Sequence, residues 1–271
     1  MMANCKMLPR VSRRLVAFDF DCTVVDDNTD TVVRDLLPAD KFPSDTIIHK
    51  QGWQEYMAEV FRRLHKLCYS PQSIREKIRC IPEVPGFVRL LKRLHQAPEK
   101  KYDLIIISDS NTIFITEWLE AHGLANCFES IFTNPAHFDS DGLLHVRPYH
   151  HQTECKLSAA NLCKGMILEH YVAKRNLRDN THYERIIYVG DGHNDLYPIL
   201  KLRHGDIACP RRDFALHKKI TTHRDKMDIR ADVVNWKSGF ELLKQLAERD
   251  TALTDGDGTE ARAESTKKPL E

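Results

Sequence analysis

The chain has 271 residues, 42% of them hydrophobic, with 40 Lys and Arg against 39 Asp and Glu for a formal net charge of +1. That length suits a core domain with a smaller insert, and the balanced charge argues against nucleic acid or an anionic membrane as main partner. No apolar run approaches the roughly 20 residues that span a bilayer. The stretch 1–10 is short, polar and broken by Pro9, without a secretory apolar region. Eight cysteines in such a chain read as thiols, not as a disulfide framework, so a cytoplasmic protein with no evident protein partner is expected.

The first element is an apolar run at 15–20 that ends in the acids Asp19 and Asp21. A buried strand emptying into an acidic loop is the natural reading. Between Asn28 and Pro82 no buried strand is evident. Residues 54–67 carry an apolar stripe of Tyr56, Val60, Phe61 and Leu64, and Ser70-Pro71 opens a further helix towards Cys80. This stretch predicts a small helical insert. Phe87, Leu90, Leu91 and Leu94 then mark one helical face. Residues 102–108 form a second β-branched run, ending in Ser108, Asp109 and Asn111, and a helix over 112–122 stops at Gly123. A third run at 185–190 leads into Asp191 and Asp195. Shorter strands are expected at 206–208 and 231–234, and a last helix at 240–249. The fold predicted is α/β: a Rossmann-like parallel sheet with helices on both faces and a small helical cap. Its core spans 12–27 and 83–250 and its cap 28–82. The tail at 251–271, with almost nothing to bury, is expected to be disordered.

Ligands of open parallel sheets bind at the carboxyl ends of the strands. Three strands here end in acids: Asp19 with Asp21, Asp109, and Asp191 with Asp195. Five carboxylates at one edge repel unless a cation lies among them. A hard divalent ion with oxygen ligands fits, Mg²⁺ above all in phosphate chemistry. Asp19 and Asp21 are two apart; in extended chain both point to one side. One carboxylate can then attack phosphorus while the other handles the proton. Thr23 and Ser108 offer hydroxyls to phosphoryl oxygens, and Lys164 is the candidate to neutralise developing charge.

The stretch 18–23, Phe-Asp-Phe-Asp-Cys-Thr, resembles the Asp-x-Asp-x-Thr motif of the haloacid dehalogenase superfamily. Residues 108–111 and 190–195 look like its second and fourth motifs. Within that superfamily the chain resembles the phosphoethanolamine/phosphocholine and pyridoxal-phosphate phosphatase group, at 25–30, 107–111, 132–136, 161–164 and 210–212. Motifs spread so widely, in this order, are hard to obtain by chance. The resemblance implies Asp19 as nucleophile and metal ligand, and Asp21 as general acid/base that binds metal through its backbone carbonyl. It implies Asp191 as a metal ligand, Asp30 and Asp109 as substrate contacts, and Lys164 as the phosphate-binding lysine; Ser108 joins the substrate-binding candidates for its hydroxyl, and Thr23, Asn111 and Asp195 are the supporting candidates. The group's His-Thr-His-Ser-Cys-x-x-Cys-Pro segment is altered here at 149–159: it is one residue longer, and Ser158 and Ala159 stand where Cys and Pro are expected. Ser110 and the 132–136 stretch lean towards the pyridoxal-phosphate members; phosphoethanolamine or phosphocholine is the alternative substrate.

Plainer readings stand beside these. Asp30 could be a helix N-cap. His150, His151, Cys155 and Cys163 fit no standard zinc spacing and read as surface histidines and buried thiols. Trp53, Tyr56, Met57 and Phe61 could line a pocket, but simple core packing of that helix is the preferred reading. Arg211, Arg212 and His217 to Lys219 read as a solvated face. Other reactions of the superfamily, such as phosphoserine hydrolysis, and a catalytically silent interaction protein remain as alternatives; the intact set of Asp19, Asp21, Lys164 and Asp191 argues against silence.

Overall fold

The computed structural model describes residues 10–98, 101–250 and 253. In chain order it begins with β1 (Val11–Phe18), followed by four helices, α1 (Thr29–Arg34), α2 (Thr46–Gln51), α3 (Trp53–Lys66) and α4 (Pro71–Arg79). Then come α5 (Phe87–His95), β2 (Tyr102–Asn111), α6 (Thr112–Ala121), β3 (Ser130–Asn134) and a hairpin of β4 (Ala136–Phe138) and β5 (Leu144–Val146). The remainder is α7 (Lys164–Asp179), β6 (Thr181–Gly190), α8 (Leu196–Leu200), β7 (Ile207–Pro210), α9 (Ala215–His223), β8 (Asp232–Val233) and α10 (Gly239–Ala247).

Six strands form one parallel sheet in the order β3-β2-β1-β6-β7-β8. The predicted α/β sheet with helices on both faces is therefore observed. Pleating alone divides the core in two. Val16 and Phe18 of β1 belong to the cluster that contains Phe87, Phe114 and Trp236, whereas Leu15 and Ala17 belong to the cluster that contains Ile167 and Tyr171 of α7. All four are wholly buried, so the carboxyl-terminal half of β1, residues 15–18, reads as an unbroken apolar run, while its start at Val11, Ser12, Arg13 and Arg14 is exposed or half-buried. Strand order reverses between β1 and β6, which opens a crevice at their carboxyl ends.

The helices α1 to α4 occupy the stretch read as an insert, and its two ends are zipped together. Val25 bridges Glu83, the Val84 N–H donates to the Val24 carbonyl (3.0 Å), and the Asp26 N–H donates to the Pro82 carbonyl (2.8 Å). The buried stripe of α3 holds Tyr56, Met57, Val60, Phe61 and Leu64, and Phe61 meets Phe114 of α6 edge-to-face. Ser70 caps α4 as its sequence suggested, accepting from the Ser73 N–H. No helix among the described residues is long and apolar enough to cross a membrane.

The structure departs from the sequence reading in several places. β1 starts at Val11 and already ends at Phe18, so Asp19 and Asp21 lie beyond it. The strand β3, the hairpin and the helices α7 and α9 carried no clear signal. α7 buries Lys164 and Gly165 along with three larger apolar residues, a pattern that blurs its periodicity. Of the stretch 251–271 only Leu253 is described; it is buried, and Arg93 donates to its carbonyl. The expectation of disorder otherwise falls outside the described residues.

Candidate active site

The nucleophile candidate is placed by the sheet. Asp19 follows β1 directly, and its N–H donates to the Val189 carbonyl of the neighbouring β6 (2.9 Å). The chain then leaves the extended state. The N–H groups of Thr23, Val24 and Val25 all turn back onto the Phe20 carbonyl, and Cys22 takes a left-handed φ of 53°. The expected same-side pleat of Asp19 and Asp21 therefore does not arise: a tight turn separates them. Asp19 Oδ2 faces Lys164 Nζ at 2.6 Å. Asp21 is turned towards α1, where it accepts from the Thr29 N–H (3.1 Å) and the Thr29 hydroxyl (3.2 Å).

Three acids converge. Oxygens of Asp19, Asp191 and Asp195 lie within 4.8 Å of one another. Asp195 is wholly buried and well occupied: it accepts from Lys164 Nζ and the Tyr188 hydroxyl, both at 2.8 Å, and from the Asp191 and Gly192 N–H groups. A Cβ at Gly190 would lie 2.5 Å from the Asp195 carboxyl, so only glycine admits this acid here. Asp191 accepts from Thr23 Oγ1 at 3.3 Å. Burial, then Asp195, pushes Asp19 well above the ordinary carboxylate range, with Lys164 pulling it back. Burial and Asp195 likewise push Asp191 up to about 7. Burial would discharge Lys164, but Asp19 and Asp195 outweigh it and hold the ammonium above its ordinary pKa. The cluster is thus short of positive charge, and its all-oxygen donor set fits a hard divalent metal. With Asp195 committed to Lys164 and two backbone amides, Asp19 and Asp191 are the carboxylates best placed to hold it.

Of the other predicted residues, Asp21, Asp30, Asp109 and Asn111 line a cavity of about 340 Å³ together with Ser110, whereas Thr23 and Ser108 are not among its lining residues. Asn28 caps α1, not Asp30, which instead accepts from the Trp53 indole N–H at 2.7 Å. Burial pushes Asp30 up to about 6, opposed by that indole bond. Burial, then Asp30, holds Asp21 well above its ordinary range, opposed by the Thr29 N–H. Asp109 is exposed and accepts from Asn194 (3.1 Å). Ser108 is wholly buried and accepts from the Ser110 N–H (3.2 Å), and Asn111 caps α6. The large apolar side chains of α3 divide: Trp53, Met57 and Phe61 line the cavity, while Tyr56 lies stacked beside Trp53.

Sequence reasoning missed four residues. Thr29 holds Asp21 and bonds the Ser110 hydroxyl (2.8 Å). Asn134, at the end of β3, donates to the Asp109 and Ser110 carbonyls (2.6 and 2.9 Å) and accepts from Gln54, the Tyr149 N–H and Asn161. Its only signal was its place inside the 132–136 stretch. Tyr188 lies inside the third apolar run and looked like core. Arg211 corrects the solvated-face reading: it is buried between the Phe214 and Trp236 rings and donates to the Cys22 carbonyl and Asp26, both at 2.6 Å. It braces the turn that carries Asp19 and Asp21. The histidines and cysteines of 150–163 form no metal-sized group among the described residues; His150 accepts from the Cys163 N–H instead.

A model of the family described as Putative Phosphatase matches residues 14–249. The chain is similar to Pyridoxal phosphate phosphatase PHOSPHO2 of Bos taurus, 38% identical over 235 residues, covering 86% of this chain and 96% of that protein. It is also similar to Phosphoethanolamine/phosphocholine phosphatase of Homo sapiens, 34% identical over 238 residues, covering 86% and 88%. Among solved structures, a phospho-aspartyl intermediate analogue of phosphoserine phosphatase superposes with a TM-score of 0.54 at 19% identity, covering 86% of this chain and 99% of that one. That likeness bears on the fold alone.

Proposed function

The chain belongs to the phosphatase family whose model it matches, within the haloacid dehalogenase superfamily, and from that premise we propose that this phosphomonoester hydrolase of small metabolites favours pyridoxal 5′-phosphate. The observation that carries the choice is the charge of the cavity. Asp21, Asp30 and Asp109 line it, the Trp53 indole is 37% exposed beside Asp30, and no Lys, Arg or His is among its lining residues. Such a wall gains most from a planar leaving group that carries a proton on a ring nitrogen. An amino-alcohol ester meets the same acids without using the flat indole as fully.

In this reading Asp19 attacks phosphorus in line, forming an acyl phosphate as the ester oxygen departs. Asp21 stands on the leaving-group side with a raised pKa, suited to give that oxygen its proton. Its conjugate base then takes a proton from the water that cleaves the acyl phosphate. Lys164, with Thr23 and Ser108, offsets charge on the phosphoryl oxygens. A Mg²⁺ ion held by Asp19, Asp191 and the Asp21 carbonyl would supply the positive charge the cluster lacks. Residues 12–27 and 83–250 act as the catalytic core and 28–82 as the cap over the leaving group. Comparing kcat/KM for pyridoxal phosphate, phosphoethanolamine and phosphocholine tests the choice; a clear preference for either amino-alcohol ester overturns it.

A further inference from the structure

A second cavity, of about 440 Å³, lies between α7 and the start of β3 and shares no lining residue with the first. Its size is that of small-ligand sites, roughly 300–1,000 Å³. Its sign is opposite to the first. His170, Lys174 and Arg178 recur at i, i+4 and i+8 along the exposed face of α7 and border the cavity together. Against them stand Glu129 on the rim and Asp179, which pairs with Arg178 (2.8 Å) and Arg175 (3.2 Å). The apolar part is aromatic: Phe132 meets Tyr149 and Tyr171 edge-to-face, with centroids at 6.3 and 5.7 Å, and Tyr149 is 38% exposed. Cations beside exposed ring surface suit a flat anion, which can stack and pair at once.

The cavity wall is also wired to the catalytic centre. The Tyr149 N–H donates to Asn134, the amide that holds the Asp109 and Ser110 carbonyls. His150 accepts at Nε2 from the Cys163 N–H (2.9 Å), immediately before Lys164. Burial and His170 hold the His150 pKa below its ordinary value, which keeps the ring neutral and able to accept. A ligand that shifts the Tyr149–His150 pair thus pulls on both the β2 terminus and the start of α7.

We propose that this cavity binds an aromatic metabolite bearing a phosphate or carboxylate, and that its occupancy is transmitted through Tyr149 and His150 to Lys164. The transmission rests on the catalytic reading of Lys164 given above; the binding does not. Calorimetry with naphthalene-1-sulfonate, an aromatic anion with no ester to hydrolyse, reads binding without turnover. We expect saturable binding, at least tenfold weaker for methanesulfonate, which lacks the ring, and at least tenfold weaker in the Lys174→Glu, Arg178→Glu double variant. His170→Glu, a single exposed change one turn earlier, should weaken it at least threefold and guards against a misfolded double variant. No saturable binding, or equal affinity in wild type and in well-folded variants, overturns the site. Saturating probe should also change kcat for p-nitrophenyl phosphate at least twofold in wild type and not in the double variant. Probe that binds while wild-type turnover stays constant overturns the transmission and leaves the assignment of the active site untouched.

Discussion

Single side chains in the site are set by their partners. Asp19 owes its position to a strand end and its environment to Lys164 and two further acids. Asp19→Asn keeps the shape and removes the nucleophilic charge, so turnover should fall by at least about 10³-fold while the thermal transition is retained. Substantial activity in well-folded protein would remove the covalent mechanism. Asp30 allows a finer test, because its pKa of about 6 lies within the working range. Above pH 6 it is an anion and favours a cationic leaving group; as pH falls through 6 it takes up a proton and that advantage is lost. The ratio of kcat/KM for pyridoxal phosphate to that for p-nitrophenyl phosphate should therefore fall with a midpoint near 6 as the pH drops, and in Asp30→Asn it should stay near that low-pH value throughout. Trp53→Phe deletes the indole N–H that opposes the effect of burial, so the midpoint should move upward. A ratio independent of pH would show that Asp30 serves the scaffold and not the substrate.

At the scale of elements, the site depends on how strand ends are tied to one another. Asn134 joins β3, the end of β2, α3 and the 149–161 segment through a single amide. Asn134→Ala leaves two carbonyls and the donors facing its oxygen without partners. The expected cost is about 2 kcal/mol, or about 5 °C in melting temperature for a domain of this size. Because Asp109 loses its support, kcat/KM for pyridoxal phosphate should suffer more than that for p-nitrophenyl phosphate; equal losses would assign Asn134 to stability alone. Helix packing away from the site gives the converse case. α5 and α10 approach so closely that a Cβ on Gly239 would lie 2.4 Å from the Gly86 carbonyl carbon. Gly239→Ala must spread the helices, at about 1–3 kcal/mol, and should lower the melting temperature while leaving kcat at low temperature nearly intact.

For the whole molecule, folding forces several acids into one crevice at the switch point of the sheet, and a cation relieves their repulsion. Any ligand that binds only the folded chain stabilises it by mass action. EDTA should abolish activity and Mg²⁺ restore it, and Mg²⁺ should raise the melting temperature by several degrees. In Asp191→Asn that shift should shrink and the Mg²⁺ requirement should rise sharply; full activity in metal-free buffer would sink the metal reading. The strands that carry the acids were legible in the sequence because a doubly covered parallel strand must be apolar on both faces, and the abrupt change to Asp marks its end. The helix α3 was legible because it keeps an apolar stripe at helical spacing. The sequence by itself thus determined the sheet, the acidic strand ends and the chemistry they share. Only the tertiary structure decided which acids meet. Asp19, Asp191 and Asp195 converge while Asp21 turns to Thr29, since the turn at Cys22 breaks the pleat that spacing alone implies. It also decided that Arg211 is a buried brace and Asn134 a junction. Both roles depend on contacts made across the fold, between residues distant in the chain, and local pattern carries no record of such contacts.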